Sequence, residues 1–265
     1  MLVRGQRGQE RVWPIRNVVL AASCVETTRI LLDSGLLPVA PQLGQNLVSH
    51  LSVSAALVQP QRSDAPAPMW GDVTVSWPHR KGAGRRFILE IEPLPALGAV
   101  RAEWGPALGV SPGDGAQVTL IVALGDRSPR PGQEVTLHPF KIGARGRPLP
   151  IIHLRANAED QRTLLQMKEA CVRAADALAA PGGELIFIRD PGDQDVLFHE
   201  AGTCAMGRTS DAVCDPFGRV RALENVWVAD SAAMPSAGDR HPTLTLLAHG
   251  QRVVRSVVRH LKRGL

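Results

Sequence analysis

The chain has 265 residues, of which 44% are hydrophobic and 21% charged, and its formal net charge is +5. This size allows one large domain or two small ones, and the composition is that of an ordinary globular protein. The positive charge comes mainly from scattered arginines and only 4% of residues are aromatic, so we exclude a nucleic-acid-binding protein. No run approaches 18 apolar residues and the first residues are polar and basic, so we expect no membrane span and, barring an upstream signal, a cytoplasmic location.

The N-terminal part has the pattern of a strand followed by a helix. Residues 18–22 form a continuous apolar run between polar residues, which is typical of a strand buried on both faces of a parallel sheet. Residues 26–34 then have a helical pattern, and Gly35 is a suitable stop. This is a βα unit that needs further strands beside it.

The middle of the chain predicts an antiparallel sheet. Short runs with partial two-residue alternation lie between clusters of turn residues. These runs are residues 51–59, 73–77, 86–92, 118–124 and 134–138. The glycine cluster at 82–84 precedes one of them, and we interpret it as a hairpin turn rather than a phosphate-binding loop.

Two helices follow. The first is capped by Asn157 or Asp160 and ended by Pro181, and its apolar positions recur at steps of three and four, which predicts core packing. Those positions are Leu164, Met167, Cys171, Ala174, Ala175 and Leu178. The second spans residues 243–261 directly after Pro242, a residue well placed at a first helical turn. Its apolar face consists of Leu246, Leu247, Val253, Val254, Val257, Val258 and Leu261.

The four cysteines do not predict a metal site. None lies in a Cys-x-x-Cys pair, and His199 with Cys204 and Cys214 offers only three ligands at a spacing that fits no standard zinc site. We expect no metal and four free, buried thiols.

Two histidines carry the strongest functional signal. His199 and His241 lie among Gly, Pro and Asp residues, which predicts loops, on either side of a strand-like run at 226–229. Histidines presented by loops at the ends of buried strands can form an acid–base pair.

The surroundings of these histidines resemble the C-terminal part of the glucose–methanol–choline (GMC) oxidoreductases, flavoenzymes that oxidise alcohols. His199 opens a His-x-x-Gly-Thr-x-x-Met element, residues 226–229 are followed by an Asp-x-x-x-Met-Pro run, and His241 falls where the family has His or Asn. Near the start, residues 18–35 resemble a strand–turn–helix of the family, and residues 41–50 resemble its Gly-x-Asn-Leu-x-x-His element, which ends at His50.

The resemblance implies a mixed α/β (α+β) fold. A partial FAD-binding domain of residues 1–45 and 190–265 is expected to enclose an antiparallel-sheet substrate-binding domain of residues 46–189. The implied cofactor is FAD, and the implied substrate is a small-molecule alcohol whose identity the sequence does not contain.

The resemblance also implies roles for individual residues. His199 is expected to be the base and His241 its partner, although the sequence does not fix the order, and His50 either contacts the cofactor or caps a turn. Asp230 either lies near the flavin or caps its own loop, and both roles are compatible. The expected cofactor-binding residues are Gly202, Thr203, Asp230, Ser231, Ala232, Pro242 and Thr243.

One family feature is absent from the sequence. The family opens with a strand, a Gly-x-Gly-x-x-Gly loop that holds the FAD pyrophosphate, and a helix, and no such loop occurs here. The chain is therefore expected to correspond to a C-terminal half. It is either an oxidoreductase whose flavin site is completed by an upstream FAD-binding half or subunit, or a truncated and catalytically silent fragment.

Overall fold

The computed structural model describes residues 2–4, 10–60, 73–77, 85–94, 116–189 and 199–263. The turns expected at 82–84 and between the neighbouring strands fall outside these ranges. The strands are β1 (Leu2–Arg4), β2 (Glu10–Val12), β3 (Val18–Leu20), β4 (Leu51–Pro60), β5 (Val73–Ser76), β6 (Phe87–Leu94), β7 (Ala116–Gly125), β8 (Glu134–Ile142), β9 (Pro148–His153), β10 (Glu184–Arg189) and β11 (Val226–Val228). The helices are α1 (Cys24–Asp33), α2 (Ala158–Leu178) and α3 (Thr243–Arg263), with short 3-10 turns at Leu37–Val39 and Ser231–Ala233. The predicted mixed α/β fold is confirmed.

The two ends of the chain meet in one parallel strand pair. β3 and β11 pair in register, with Val18 opposite Val226 and Leu20 opposite Val228. Cys24 at the start of α1 is fully buried in the same apolar cluster as Val228. The short β3–β11 sheet therefore places the N-terminal βα unit beside the loop that follows β11.

A five-stranded antiparallel sheet occupies the middle of the chain, with the strand order β10-β4-β7-β6-β5. Alternate β4 side chains such as Val53 and Leu57 point to one face, where α2 covers them with Met167 and Cys171. The expected strands 51–59, 73–77, 86–92 and 118–124 are all present within a few residues of their predicted ends.

The expectation for residues 134–138 is wrong in one respect. They form a strand, β8, but it pairs with β9 in a separate two-stranded sheet rather than joining the large one. The physical reason is that backbone hydrogen bonds hold the loop around Gly44 against the start of β8. The Val135 N–H donates to the Gly44 carbonyl, and the Leu47 N–H donates to the Gln133 carbonyl. Gly44 has a φ of 85° and approaches Val135 so closely that a Cβ would overlap its carbonyl. Val135 consequently packs in the cluster that contains α1.

The start of α2 contains a buried ionic cluster. The Asn157 side chain accepts from the Asp160 N–H, and the Asp160 carboxylate accepts in turn from the Asn157 N–H, so both predicted caps take part. Asp160 is fully buried, and its Oδ2 accepts from Arg130 Nη2 at 2.7 Å and lies 3.8 Å from Nε of the buried Arg127. This cluster ties the segment after β7 to the first turn of α2.

Helix α3 is amphipathic but is covered on one side only. Val253 is fully buried, whereas Leu247 and Val254 are 64% and 60% exposed. The predicted apolar face is therefore wider than the surface that the described residues cover. Within those residues, no helix has the length and apolar character needed to cross a membrane.

Candidate active site

The loop that carries His199 is fastened to the segment before β4. Ala201 and Val48 exchange two backbone hydrogen bonds of 2.9 Å. Gly202 has a φ of 98°, and a Cβ there would overlap the Asn46 carbonyl, so the close approach requires glycine. His199 itself has a left-handed φ of 58°, a conformation that costs free energy for residues other than glycine and that the surrounding contacts must hold in place. The result is that His199 lies beside the segment containing His50.

Three histidines converge at this point. His199 Nδ1 is 3.2 Å from His50 Nδ1, and the ring centroids of His199 and His241 are 5.3 Å apart at 89°. His50 is 2% exposed and its Nε2 lies 3.3 Å from the Ala237 carbonyl oxygen. The structure thus brings together the two histidines predicted as catalytic and adds a third, buried one.

His241 also has an acidic partner. Its Nε2 is 2.7 Å from Oε1 of Glu90, a residue of β6 in the five-stranded sheet. This contact orients the His241 ring through a residue of the five-stranded sheet. Glu90 is not among the predicted site residues, because an acidic residue in an alternating strand looks like an ordinary solvent-facing position.

The surroundings keep two of the three imidazoles neutral. Burial lowers the pKa of His50, an effect that the hydrogen bond to the Ala237 carbonyl partly offsets and that His199 and His241 strengthen. Burial, and next the neighbouring His241, lower the pKa of His199 below its usual 6.5. A neutral imidazole can accept a proton, so His199 is suited to act as a base at neutral pH.

A cavity of about 770 Å³ lies between the end of β3, the loop after β11 and the first turns of α3; none of the three histidines lines it, and Thr243 is its lining residue nearest in sequence to His241. Asp230, Ser231 and Thr243 supply polar groups to its wall, and Leu247 and Val254 supply apolar ones. The first intrahelical hydrogen bond of α3 runs from the Leu246 N–H to Pro242, and the three preceding N–H groups lack such an acceptor. Three of the predicted cofactor-binding residues therefore line one cavity at a helix N-terminus.

The other predicted cofactor-binding residues make contacts that support the loops. Thr203 is fully buried and its hydroxyl accepts from Thr28 at 2.6 Å. Ala232 is buried and its N–H donates to Asp230 Oδ1 at 2.9 Å. Pro242 is buried where α3 begins. Contacts with a cofactor stay a prediction for these three residues and for Gly202.

Of the two roles predicted for Asp230, the capping of its own loop is confirmed, and a position near the flavin stays a prediction. One carboxylate oxygen caps the turn Ser231–Ala233, the other accepts from the Thr27 hydroxyl of α1, and the side chain lines the cavity. A loop held in this way is a rigid wall for a ligand.

The four cysteines are buried and free. Burial raises the pKa of the Cys24 thiol to about 12, and Cys24 Sγ lies 3.0 Å from Thr203 Oγ1. Burial likewise raises the pKa of Cys214 to about 12. Thiols in this state are poor nucleophiles, which leaves the histidines as the reactive groups of the site.

Comparisons with known proteins agree with the resemblance in the sequence. Residues 132–250 match the family model described as GMC oxidoreductase. The chain is 27% identical over 259 residues to a C-glycoside 3-oxidase of Arthrobacter globiformis, a match that covers 94% of this chain and 47% of that protein. It is 34% identical over 113 residues to a paromamine 6'-oxidase of Streptomyces fradiae, covering 42% of this chain and 20% of that protein.

Solved structures share the fold. A pyridoxine 4-oxidase from Mesorbium loti superimposes with a TM-score of 0.63 at 18% identity, covering 98% of this chain and 54% of that one. A formate oxidase of Aspergillus oryzae superimposes with a TM-score of 0.63 at 16% identity, covering 99% and 57%. The chain spans about half the length of the relatives that it matches over most of its residues. The chain is similar to the C-terminal region of the GMC oxidoreductases, through the family model over residues 132–250 and through the C-glycoside 3-oxidase over most of its length.

Proposed function

We propose that this chain is the catalytic C-terminal half of an FAD-dependent oxidoreductase that oxidises a CH–OH group. The observation that carries the proposal is the pairing of His199 with His241 at a ring-centroid distance of 5.3 Å. His241 lies two residues before Thr243, which lines the cavity at the N-terminus of α3. The names of the relatives as oxidases support the proposal. They also favour a glycoside hydroxyl as the donor.

The residues around the cavity fit a flavin. Free N–H groups at the first turn of α3 and the helix dipole suit an electron-rich ring oxygen. The apolar wall formed by Leu247 and Val254 suits a flat aromatic ring system, and Asp230 and Ser231 suit a hydroxylated chain. We infer that these residues hold the FAD on this side.

In the proposed mechanism the alcohol loses two hydrogens, one as a proton from oxygen and one as a hydride from carbon. The substrate hydroxyl loses its proton to a ring nitrogen of the neutral His199, and the carbon becomes a carbonyl as its hydrogen leaves with two electrons. A bound flavin would supply the acceptor for that hydride. The contact of Glu90 with His241 Nε2 leaves His241 Nδ1 for the substrate oxygen, so that His241 orients the donor in the site.

A second segment must complete this site. Leu247 and Val254 line the cavity and yet remain more than half exposed, and a cofactor bound there has no wall on its outer side within the described residues. We propose that an FAD-binding segment, corresponding to the part of the relatives that this chain does not span, packs on this face of α3. The isolated chain is then expected to bind FAD weakly or not at all.

The test is the colour of the protein. The chain is purified alone and co-expressed with an FAD-binding half taken from the family, and flavin absorbance is recorded before and after anaerobic addition of a glycoside. The proposal predicts a yellow complex that bleaches. It also predicts that His199→Ala slows bleaching by about 10²- to 10⁴-fold, the usual contribution of a general base, while the flavin stays bound.

The matched control is His153→Ala, which removes an exposed histidine of β9 and should leave the rate unchanged. Protein that is colourless in both settings would contradict the proposal and support the alternative of a catalytically silent fragment.

A further inference from the structure

The proton on His50 is located by its neighbour. Nε2 of His50 lies 3.3 Å from the Ala237 carbonyl oxygen, which can only accept, so this nitrogen is the one that bears the hydrogen. A neutral imidazole has a single N–H. Nδ1 of His50 therefore carries a lone pair.

This lone pair determines the proton on His199. The two Nδ1 atoms are 3.2 Å apart, and a hydrogen bond between them needs one hydrogen. Because Nδ1 of His50 has none, Nδ1 of His199 is the donor. The remaining nitrogen of His199, Nε2, then holds the lone pair that can accept a proton.

We propose that His50 is a positioning residue that holds His199 in its Nδ1–H tautomer, so that Nε2 of His199 is the basic atom of the site. The tautomer stands on the geometry of the three groups Ala237, His50 and His199, and its catalytic consequence rests on the proposed function. An imidazole in water favours the opposite tautomer, with the hydrogen on Nε2. Without His50, most His199 rings would therefore present a hydrogen where the base needs a lone pair.

The burial of His50 keeps its ring in the neutral state that this hydrogen-bond arrangement needs. The side chain is 2% exposed, and burial lowers its pKa, with His199 and His241 acting in the same direction. A second proton on His50 would place an N–H opposite the N–H of His199 and break the chain of hydrogen bonds. Its lowered pKa keeps that state rare at neutral pH.

The test reads the tautomers directly. Nitrogen-15 NMR of the full chain, labelled at histidine and kept at mildly alkaline pH, distinguishes N–H nitrogens from lone-pair nitrogens in each ring. We expect His199 to show its hydrogen on Nδ1 and His50 to show its hydrogen on Nε2. A hydrogen on Nε2 of His199 in the parent chain would overturn the proposal without any variant being needed.

Two substitutions form a matched pair. His50→Asn places an amide oxygen near the position of Nδ1 and keeps an acceptor for His199, whereas His50→Gln places its amide near Nε2 and removes that acceptor. We expect the asparagine variant to retain the Nδ1–H tautomer of His199 and the glutamine variant to shift toward Nε2–H. The ring of His260, which packs on Trp227, serves as an internal control that neither variant should change.

The catalytic consequence has its own readout. In the complex with an FAD-binding half, His50→Gln should lower kcat by about 10- to 100-fold and leave KM unchanged, which is the size of effect seen when a histidine loses its orienting partner. His50→Asn should retain most of the parent kcat. The same His199 tautomer in the parent and in His50→Gln would contradict the positioning role of His50. A colourless protein with the expected tautomers would contradict the proposed function and leave the positioning role standing.

Discussion

The layer formed by the five-stranded sheet and α2 and the layer formed by the β3–β11 pair and α3 differ in how much of their apolar surface is buried. The five-stranded sheet and α2 close on each other, and Met167 and Cys171 between them are fully buried. The parallel pair β3–β11 and α3 form an open layer, in which Leu247 and Val254 are mostly exposed and line a cavity. The closed layer buries its apolar surface within the described residues. The open layer leaves apolar surface exposed, and this is the surface on which we propose that a ligand and a further segment pack.

The largest loss of stability is expected in the closed layer, at Asp160. Replacing it with alanine removes the buried carboxylate that contacts Arg130 and Arg127 and also breaks the capping box of α2. We expect the free energy of unfolding to fall by about 3–5 kcal/mol, measured by urea denaturation. Asp176→Ala, at an exposed position of the same helix, is the control and should change it by less than about 0.5 kcal/mol.

Truncating apolar side chains compares the two layers directly. Met167→Ala removes a fully buried side chain and should lower the free energy of unfolding by about 2–5 kcal/mol. Val254→Ala should leave it within about 0.5 kcal/mol of the parent value, since Val254 is mostly exposed. Equal losses at the two positions, measured by thermal and urea denaturation, would show that the α3 face is packed and the contrast is mistaken.

The exposed face of α3 should make the isolated chain associate. We expect self-association in light scattering, because contiguous exposed apolar surface favours contacts between molecules. The double variant Leu247→Lys with Val254→Lys should suppress it and also abolish co-purification with an FAD-binding half. Leu165→Lys changes a 58% exposed leucine of α2 and should do neither. A parent chain that remains monomeric at high concentration would contradict this expectation.

A smaller effect is expected where the chain turns from β3 into α1. Ser23 has a φ of 75° and a ψ of 167°, a region that glycine occupies far more readily than any other residue. Ser23→Gly should therefore raise the free energy of unfolding by about 1 kcal/mol. Ser34→Gly, at an ordinary φ of −84°, should bring no such gain, and a gain at both sites would point to a general effect of glycine.

Local patterns predicted most of the framework. The apolar runs at 18–22 and 226–229 indicated strands, and these pair as β3 and β11. The expectation that the first strand is buried on both faces is wrong, because Val19 of β3 is 47% exposed in this two-stranded sheet. The three- and four-residue spacing from Leu164 onward indicated the buried face of α2, which packs as expected as far as Ala175. Leu178, at the end of the helix, is 44% exposed and does not belong to the core. β9 escaped notice because Pro148 and Pro150 are unusual within a strand. β8 was assigned to the wrong sheet because alternation shows that a strand exists but does not name its partner.

The candidate site was predictable only in part, because its contacts span long distances in sequence. The motif around His199 and the Pro242 helix start indicated two of the histidines. The contact of His199 with His50 joins residues 149 positions apart, and the contact of His241 with Glu90 joins two different layers. No local pattern encodes such pairs, since they exist only after the sheets have packed.

The pH dependence of flavin reduction tests the central claim, that neutral His199 removes the substrate proton. In a complex with an FAD-binding half, the rate of anaerobic bleaching is measured at saturating substrate across the range around pH 6.5. The pKa of His199 is held below 6.5 by burial and by His241, so the rate should fall toward acidic pH as His199 becomes protonated, with its half-maximal value below pH 6.5. This acidic limb should vanish in His199→Ala. A half-maximal rate above pH 6.5 in the parent, or an acidic limb that persists unchanged in His199→Ala, would contradict the account.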